Sequence, residues 1–132
     1  MFWVALSTLL MVMTGQGDDT FVFREFLENM RDGIEQHVTD PARRARAIGV
    51  VDDTSAKFRA HREKVNAIGI CVEGLDRRYQ VTAAEYEKCL AGTGELWDRA
   101  AEALIVAERG LDQNITDNER RAIQAEAQVE VP

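Results

Sequence analysis

The sequence predicts an all-α protein built on a long antiparallel helical hairpin that resembles a coiled coil, with one helix packed before it and a short helix after it. Three observations predict this class. Apolar residues recur at helical spacing over most of the 132 residues. Proline occurs only at Pro41 and Pro132, so the chain between them is free to be helical. Two long segments also carry unbroken heptad-like patterns, which are typical of tightly packed helix pairs.

Residues 1–17, MFWVALSTLLMVMTGQG, carry no charged side chain. Their apolar run has the length of a signal-peptide core and is shorter than the ~20 residues of a membrane span. Gly15 and Gly17 are small residues suited to a cleavage point, although no lysine or arginine lies near Met1. We therefore predict an export signal or a short N-terminal anchor in residues 1–17 and a single helical domain in residues 18–132. A buried N-terminal helix is a further alternative.

The first helix is predicted over Thr20–Val38, because its apolar residues share one face. These residues are Phe23, Leu27, Met30, Ile34 and Val38. Asp40 then precedes Pro41, which is the pattern of an N-cap followed by proline in the first turn. The next helix, the first arm of the hairpin, is predicted over Pro41–Tyr79.

Both arms carry heptad-like patterns of mostly apolar residues, with two threonines and one histidine among them, at alternating spacings of three and four. In the first arm these are Val51, Thr54, Phe58, His61, Val65, Ile68, Val72, Leu75 and Tyr79, and in the second they are Tyr86, Leu90, Thr93, Trp97, Ala100, Leu104 and Ala107. Thr82 and Glu85 have the spacing of a capping box, which predicts the start of the second arm. This arm is predicted over Ala83–Arg109, with Gly110 marking its end. A second capping box, Thr116 and Glu119, predicts a short helix that reaches about Gln128.

The two cysteines of the chain, Cys71 and Cys89, lie on either side of the predicted turn. If the hairpin folds near Gln80, they lie opposite each other at flanking heptad positions. This spacing predicts a disulfide, which the chain-entropy model values at roughly 3 kcal/mol. Such a bridge agrees with an exported protein in an oxidising compartment. Two reduced, half-buried cysteines are the alternative.

The sequence offers little for catalysis, and we predict a protein that is not an enzyme and has no cofactor. Its two histidines, His37 and His61, fit no metal-binding or catalytic motif. His61 occupies a heptad core position, where we expect a hydrogen-bonded core histidine. The net charge of −7 argues against nucleic acid as a partner. Asn114-Ile115-Thr116 matches the glycosylation acceptor pattern.

Two segments, Val81–Glu85 and Ile115–Glu119, resemble degenerate copies of a Leu-Thr-x-x-Gln motif. This motif marks a family of small, exported, all-helical bacterial envelope proteins, which includes periplasmic stress chaperones and metal-resistance sensors. The resemblance implies an all-helical fold and a role in the cell envelope. It transfers no metal ligands, because no histidine cluster matches. Capping boxes alone also explain both segments.

These observations predict a periplasmic or secreted helical protein that binds other proteins in a chaperone-like, sensor or scaffolding role. The partner could be a second copy, since the tip of the hairpin has only two helices and a homodimer would cover its exposed flank. One alternative is a membrane-tethered accessory subunit that retains residues 2–14 as an anchor facing outward. Another is a metal-binding sensor that uses His61 and nearby carboxylates.

Overall fold

The computed structural model describes residues 19–129, and these form an all-helical fold with no strand among them. Its helices are α1 (Asp19–His37), α2 (Pro41–Asp76), α3 (Ala83–Leu90), α4 (Thr93–Asn114) and α5 (Asp117–Val129). The prediction of an all-α class is confirmed. The predicted export signal or anchor lies outside the described residues.

The helix starts follow the predicted capping residues. Asp40 accepts a hydrogen bond from the N–H of Arg43 at 2.8 Å, which caps α2. Thr82 caps α3, and its capping box with Glu85 is complete. α1 lies within one residue of its predicted bounds. α2 ends three residues before Tyr79, which is fully exposed beyond the helix.

The prediction of one unbroken helix over Ala83–Arg109 is wrong. The helix is interrupted between α3 and α4, where Gly92 has a φ of 82°. This left-handed conformation is readily adopted by glycine, which has no Cβ. The second half of the predicted arm also continues past Gly110 to Asn114, so Gly110 does not end the helix.

The described residues group into two compact units. The terminal unit comprises residues 19–55 and 104–129, and the central unit comprises residues 56–103. The core of the terminal unit is a cluster of buried apolar side chains contributed by α1, α2, α4, α5 and the residues that follow α1 and α4. Its members are Leu27, Met30, Ile34, Val38, Ala47, Val51, Leu111, Ile115 and Ile123.

Two glycines let helices of the terminal unit approach closely. A Cβ added at Gly33 in α1 would lie 2.9 Å from Cγ2 of Ile123 in α5. A Cβ added at Gly110 in α4 would lie 2.7 Å from Cγ2 of Val50 in α2. Real Cβ atoms do not approach other atoms so closely, and β-branched side chains have few rotamers with which to move away. Gly110 is therefore a packing residue rather than a helix terminator.

A set of charged hydrogen bonds, which we name the Arg43 clamp, joins α2 to the junction of α4 and α5. Arg43 donates to both carboxylate oxygens of Glu119, at 2.8 and 2.9 Å, and to the carbonyl oxygen of Asn114 at 3.0 Å. Arg46 donates to Oδ1 of Asn114 at 2.8 Å. Bidentate arginine–carboxylate pairs of this kind fix orientation as well as adding energy.

Glu119 also caps α5, because its carboxylate accepts from the N–H of Thr116 at 2.9 Å. Hydrogen bonds from Arg43 and Thr116 outweigh the opposing effect of burial and lower the pKa of Glu119 to about 2. The clamp member Asn114 donates through Nδ2 to the carbonyl oxygen of Gly110 at 2.7 Å. Asn114 before the junction and Glu119 after it are thus each held by more than one hydrogen bond.

Replacing Gly110 with alanine should destabilise the protein because of the clash with Val50. We expect Gly110→Ala to lower the free energy of unfolding by about 1–3 kcal/mol, as overpacking does. Gly49→Ala is the matched control, since nothing lies within 4 Å of a Cβ there. It should raise stability by about 0.5–1 kcal/mol through helix propensity. Chemical denaturation measures both, and equal effects of the two variants would contradict the packing role.

Replacing Glu119 with glutamine should weaken the Arg43 clamp. We expect a loss of about 1–2 kcal/mol at pH 7, because hydrogen bonds to charged groups are stronger than neutral ones. Glu95→Gln is the control, since Glu95 forms an exposed pair with Arg99 within α4. Such a pair is worth at most about 0.5 kcal/mol.

The effect of Glu119→Gln should also depend on pH. A carboxylate whose pKa is lowered on folding stabilises the protein above its unfolded pKa and loses that contribution as pH falls through its folded pKa. The difference between wild type and variant should therefore shrink as pH falls from about 4.5 towards about 2. A difference that stays constant over this range would contradict the role of the charge.

Candidate functional site

The central unit contains both cysteines and one of the two histidines that the sequence singled out, and its first feature is a disulfide. Cys71 of α2 and Cys89 of α3 are bonded, with their Cα atoms 5.7 Å apart. This separation is ordinary for a disulfide, and the predicted pairing is present. Cys71 is exposed and Cys89 is half-buried. The bridge links the end of α2 to a short helix that has few other restraints.

That short helix, α3, has eight residues and none of them is buried. Isolated helices below about 12–15 residues are marginal in water. The N-terminus of α3 is stabilised by its capping box, in which the N–H of Thr82 donates to Glu85 at 2.9 Å. Backbone donation by Thr82 and hydrogen bonding from Arg78 lower the pKa of the Glu85 carboxyl. The cap and the bridge therefore act at opposite ends of α3.

Two further side-chain contacts connect α3 to the end of α2 and the turn after it. The hydroxyl of Tyr86 donates to Oδ1 of Asp76 at 2.6 Å, and this bond raises the pKa of Tyr86. Arg78 donates to Oε1 of Glu85 at 2.7 Å. Both contacts are exposed to solvent, where such interactions contribute little. The disulfide is consequently the strongest restraint on α3.

Large apolar side chains of the central unit are exposed. They are Val65 and Ile70 on α2, Tyr79 in the turn and Leu90 at the end of α3. Ile70 retains 71% of its accessible surface and Leu90 retains 48%. The heptad pattern thus begins with buried Val51, Thr54 and Phe58 but includes exposed positions further along. An exposed apolar patch is typical of a surface that binds other proteins.

His61 lies between two aromatic rings of the central unit. Its ring centroid is 6.3 Å from that of Phe58 and 5.8 Å from that of Trp97, both in edge-on geometry. Its Nδ1 atom is buried and has no hydrogen-bond partner. The expectation of a hydrogen-bonded histidine is therefore wrong for this atom. Burial, with a smaller effect from the positive charge of Lys64, lowers the pKa of His61.

The other residues that the sequence singled out are not brought to this site. His37 lies in the last turn of α1, where Nε2 is 3.0 Å from a carboxylate oxygen of Glu126 but lacks hydrogen-bond geometry. Asn114 is buried, and both polar atoms of its amide are engaged in the terminal unit. The glycosylation pattern at Asn114 thus coincides with a structural residue.

Two kinds of feature are absent from the residues that the structure describes. Within residues 19–129, no group of three or more His, Cys, Asp or Glu residues is placed to hold a metal ion. Over the same range, no helix is both long enough and apolar enough to cross a membrane.

Sequence reasoning missed two features of this site. The contact between Tyr86 and Asp76 has no local sequence signal, because it depends on how the turn folds. The break after α3 did have a signal, since Gly92 and Gly94 stand close together in an otherwise helical pattern. Comparison of the chain with protein-family models, curated proteins and solved structures found no match.

The environment of His61 predicts that the stability of the protein depends on pH. A histidine whose pKa is lowered on folding takes up its proton first in the unfolded state, so stability falls as pH drops below about 6.5. We expect wild type to lose more stability than His61→Leu between pH 8 and pH 5.5. Thermal unfolding at both pH values measures this difference.

Lys64→Gln provides a second variant, because it removes a charge that disfavours protonated His61 while leaving the ring contacts in place. Its loss of stability on acidification should lie between those of wild type and His61→Leu. Identical pH dependence in all three proteins would show that His61 is not held neutral by its surroundings.

Proposed function

We propose that this chain is a non-enzymatic, exported helical protein that binds other proteins through its central unit, in a chaperone-like, sensor or scaffolding role in the cell envelope. The observation that carries this proposal is the exposure of large apolar side chains, Ile70 and Leu90 among them, on a unit held by a disulfide. Exposed apolar groups favour protein partners over nucleic acid, as does the net charge of −7.

The proposed location, periplasmic or secreted, is supported by two independent features. The disulfide is compatible with an oxidising compartment, where such bonds persist. Residues 1–17 are uncharged and have the length of an export signal. The resemblance of two capping segments to the Leu-Thr-x-x-Gln family agrees with the same location, although both segments also have a local role at helix starts.

As the finer architecture, we propose an antiparallel hairpin of α2 against α3 and α4, with the tip as the binding region. Within the central unit, the residue numbers of each contacting pair add to between 158 and 162. The pairs are His61 with Trp97, Cys71 with Cys89, and Asp76 with Tyr86. A constant sum is the register of antiparallel helices. In the terminal unit, Val50 with Gly110 and Arg46 with Asn114 follow the same rule.

A second candidate function is a membrane-tethered accessory subunit that keeps residues 2–14 as its anchor. The observation that favours it is the absence of any lysine or arginine before Arg24, since export signals usually carry positive charge near Met1. The central unit would then bind partners at the membrane surface.

The binding role predicts that partners depend on the exposed residues of the central unit. The full chain, exported in its source cells, should co-purify with a protein partner or with a second, differently tagged copy of itself. The double variant Ile70→Glu/Leu90→Glu should lose this partner. The control Ile105→Glu/Val106→Glu should keep it, since both its residues are 48% exposed but lie in the terminal unit.

Equal binding by the two double variants, or no specific partner for wild type, would contradict the proposal. The intact mass of the same preparation, before and after reduction, separates the two candidates. Loss of residues 1–17 with a gain of two protons on reduction is expected for an exported protein with an internal disulfide. A full-length mass that shows the same gain indicates a retained anchor.

A further inference from the structure

We propose that the Cys71–Cys89 disulfide is a thiol–disulfide exchange site for a dithiol reductant, and that its reduction unfolds α3 while the core of the terminal unit stays folded. This inference goes beyond the proposed function and does not depend on partner binding.

The first support is access. Cys71 lies on α2 in the exposed class, and its partner Cys89 is half-buried. Exchange requires a thiolate to reach one sulfur in line with the bond, and accessible disulfides are the labile and regulatory ones. Both cysteines belong to the central unit, whereas the residues of the buried cluster all belong to the terminal unit.

The second support is that α3 has few stabilising contacts other than the disulfide. The helix has no buried residue, so no burial of a core side chain fixes it. On its C-terminal side, Gly92 in a left-handed conformation separates it from α4. Its side-chain hydrogen bonds to neighbouring segments are exposed: Tyr86 donates to Asp76, Arg78 donates to Glu85, and Thr93 of α4 donates to the carbonyl oxygen of Leu90. Opening the bridge therefore leaves a helix too short to persist alone.

The terminal unit responds differently, because its restraints do not involve the bridge. Its helices share a buried apolar cluster, and the Arg43 clamp ties α2 to the start of α5. Regions of a protein open with free energies that depend on their local contacts. Reduction of the disulfide is thus expected to unfold α3 and to leave the core of the terminal unit folded.

The exchange proceeds in two balanced steps. A thiolate of the dithiol attacks the sulfur of Cys71, forms a mixed disulfide with it and releases Cys89 as a thiolate that takes up a proton. The second thiol of the dithiol, after losing its proton, attacks the dithiol's own sulfur in the mixed disulfide, and the bond to Cys71 breaks to release Cys71 as a thiolate that takes up a proton. Two electrons and two protons pass to the protein, and the dithiol becomes a disulfide.

Hydrogen exchange of the full chain, with and without dithiothreitol as the dithiol, tests the proposal. On reduction, we expect the backbone amides of Tyr86–Leu90 to exchange at least about tenfold faster. The amides of Leu111–Ile115 in the terminal unit should change by less than about twofold. Cys71→Ser/Cys89→Ser should match the reduced protein without reductant and should not respond to dithiothreitol.

Two results would overturn the proposal. Unchanged exchange in α3 after complete reduction would show that its non-covalent contacts suffice. Equal acceleration in both regions would show that the bridge supports the whole fold rather than α3. Reduction of the wild-type protein tests both outcomes even if the double serine variant fails to fold.

The attacked sulfur can be tested separately with glutathione, a monothiol that stops at the mixed disulfide. After acid quenching and peptide mapping, we expect glutathione on Cys71 at least about fivefold more often than on Cys89, because access directs the attack. An excess on Cys89 would overturn the assignment of Cys71 as the entry point.

Discussion

A shortage of buried apolar side chains in the central unit is the constraint on which the other features of this protein depend. Of its residues, Phe58 and Ala100 are the buried apolar ones, whereas the terminal unit buries a contiguous cluster from several helices. Since burial of apolar surface is the main favourable contribution to folding, the central unit needs another restraint. The Cys71–Cys89 bridge supplies it by limiting the unfolded chain.

The glycines follow the same division between the units. Gly33 and Gly110 lie where helices of the terminal unit approach so closely that a methyl group would clash. Gly69 and Gly74 lie within the part of α2 that belongs to the central unit, where a Cβ would meet nothing within 4 Å. The first pair permits dense packing, and the second pair lowers helix propensity with no packing gain. Glycine therefore stabilises one unit and weakens the other.

The sequence predicted the features that depend on local chemistry. The helix class, the N-caps at Asp40 and Thr82 and the cysteine pairing follow from periodicity, capping chemistry and spacing, and all are present in the structure. These signals are local. The periodicity and the caps involve residues close together in sequence, and the two cysteines lie at about equal distances from one predicted interhelical turn.

The features that the sequence did not predict depend on distant contacts. Gly110 has the pattern of a helix end, but the close approach of Val50 gives it a different role. Asn114 has the pattern of a glycosylation acceptor, but Arg46 engages its amide. In both cases a residue far along the chain decides the outcome, and no local pattern carries that information.

The central unit also departs from what stability alone would select. His61 occupies a half-buried position where Nδ1 has no partner, although an unpaired buried polar atom is unfavourable. Ile70 is exposed where a polar residue would be better solvated. Departures from local rules concentrate at functional sites in natural proteins, because function rather than stability maintains them. His61 and Ile70 are two such departures in the unit that contains the bridge, and they support the proposal that partners bind there.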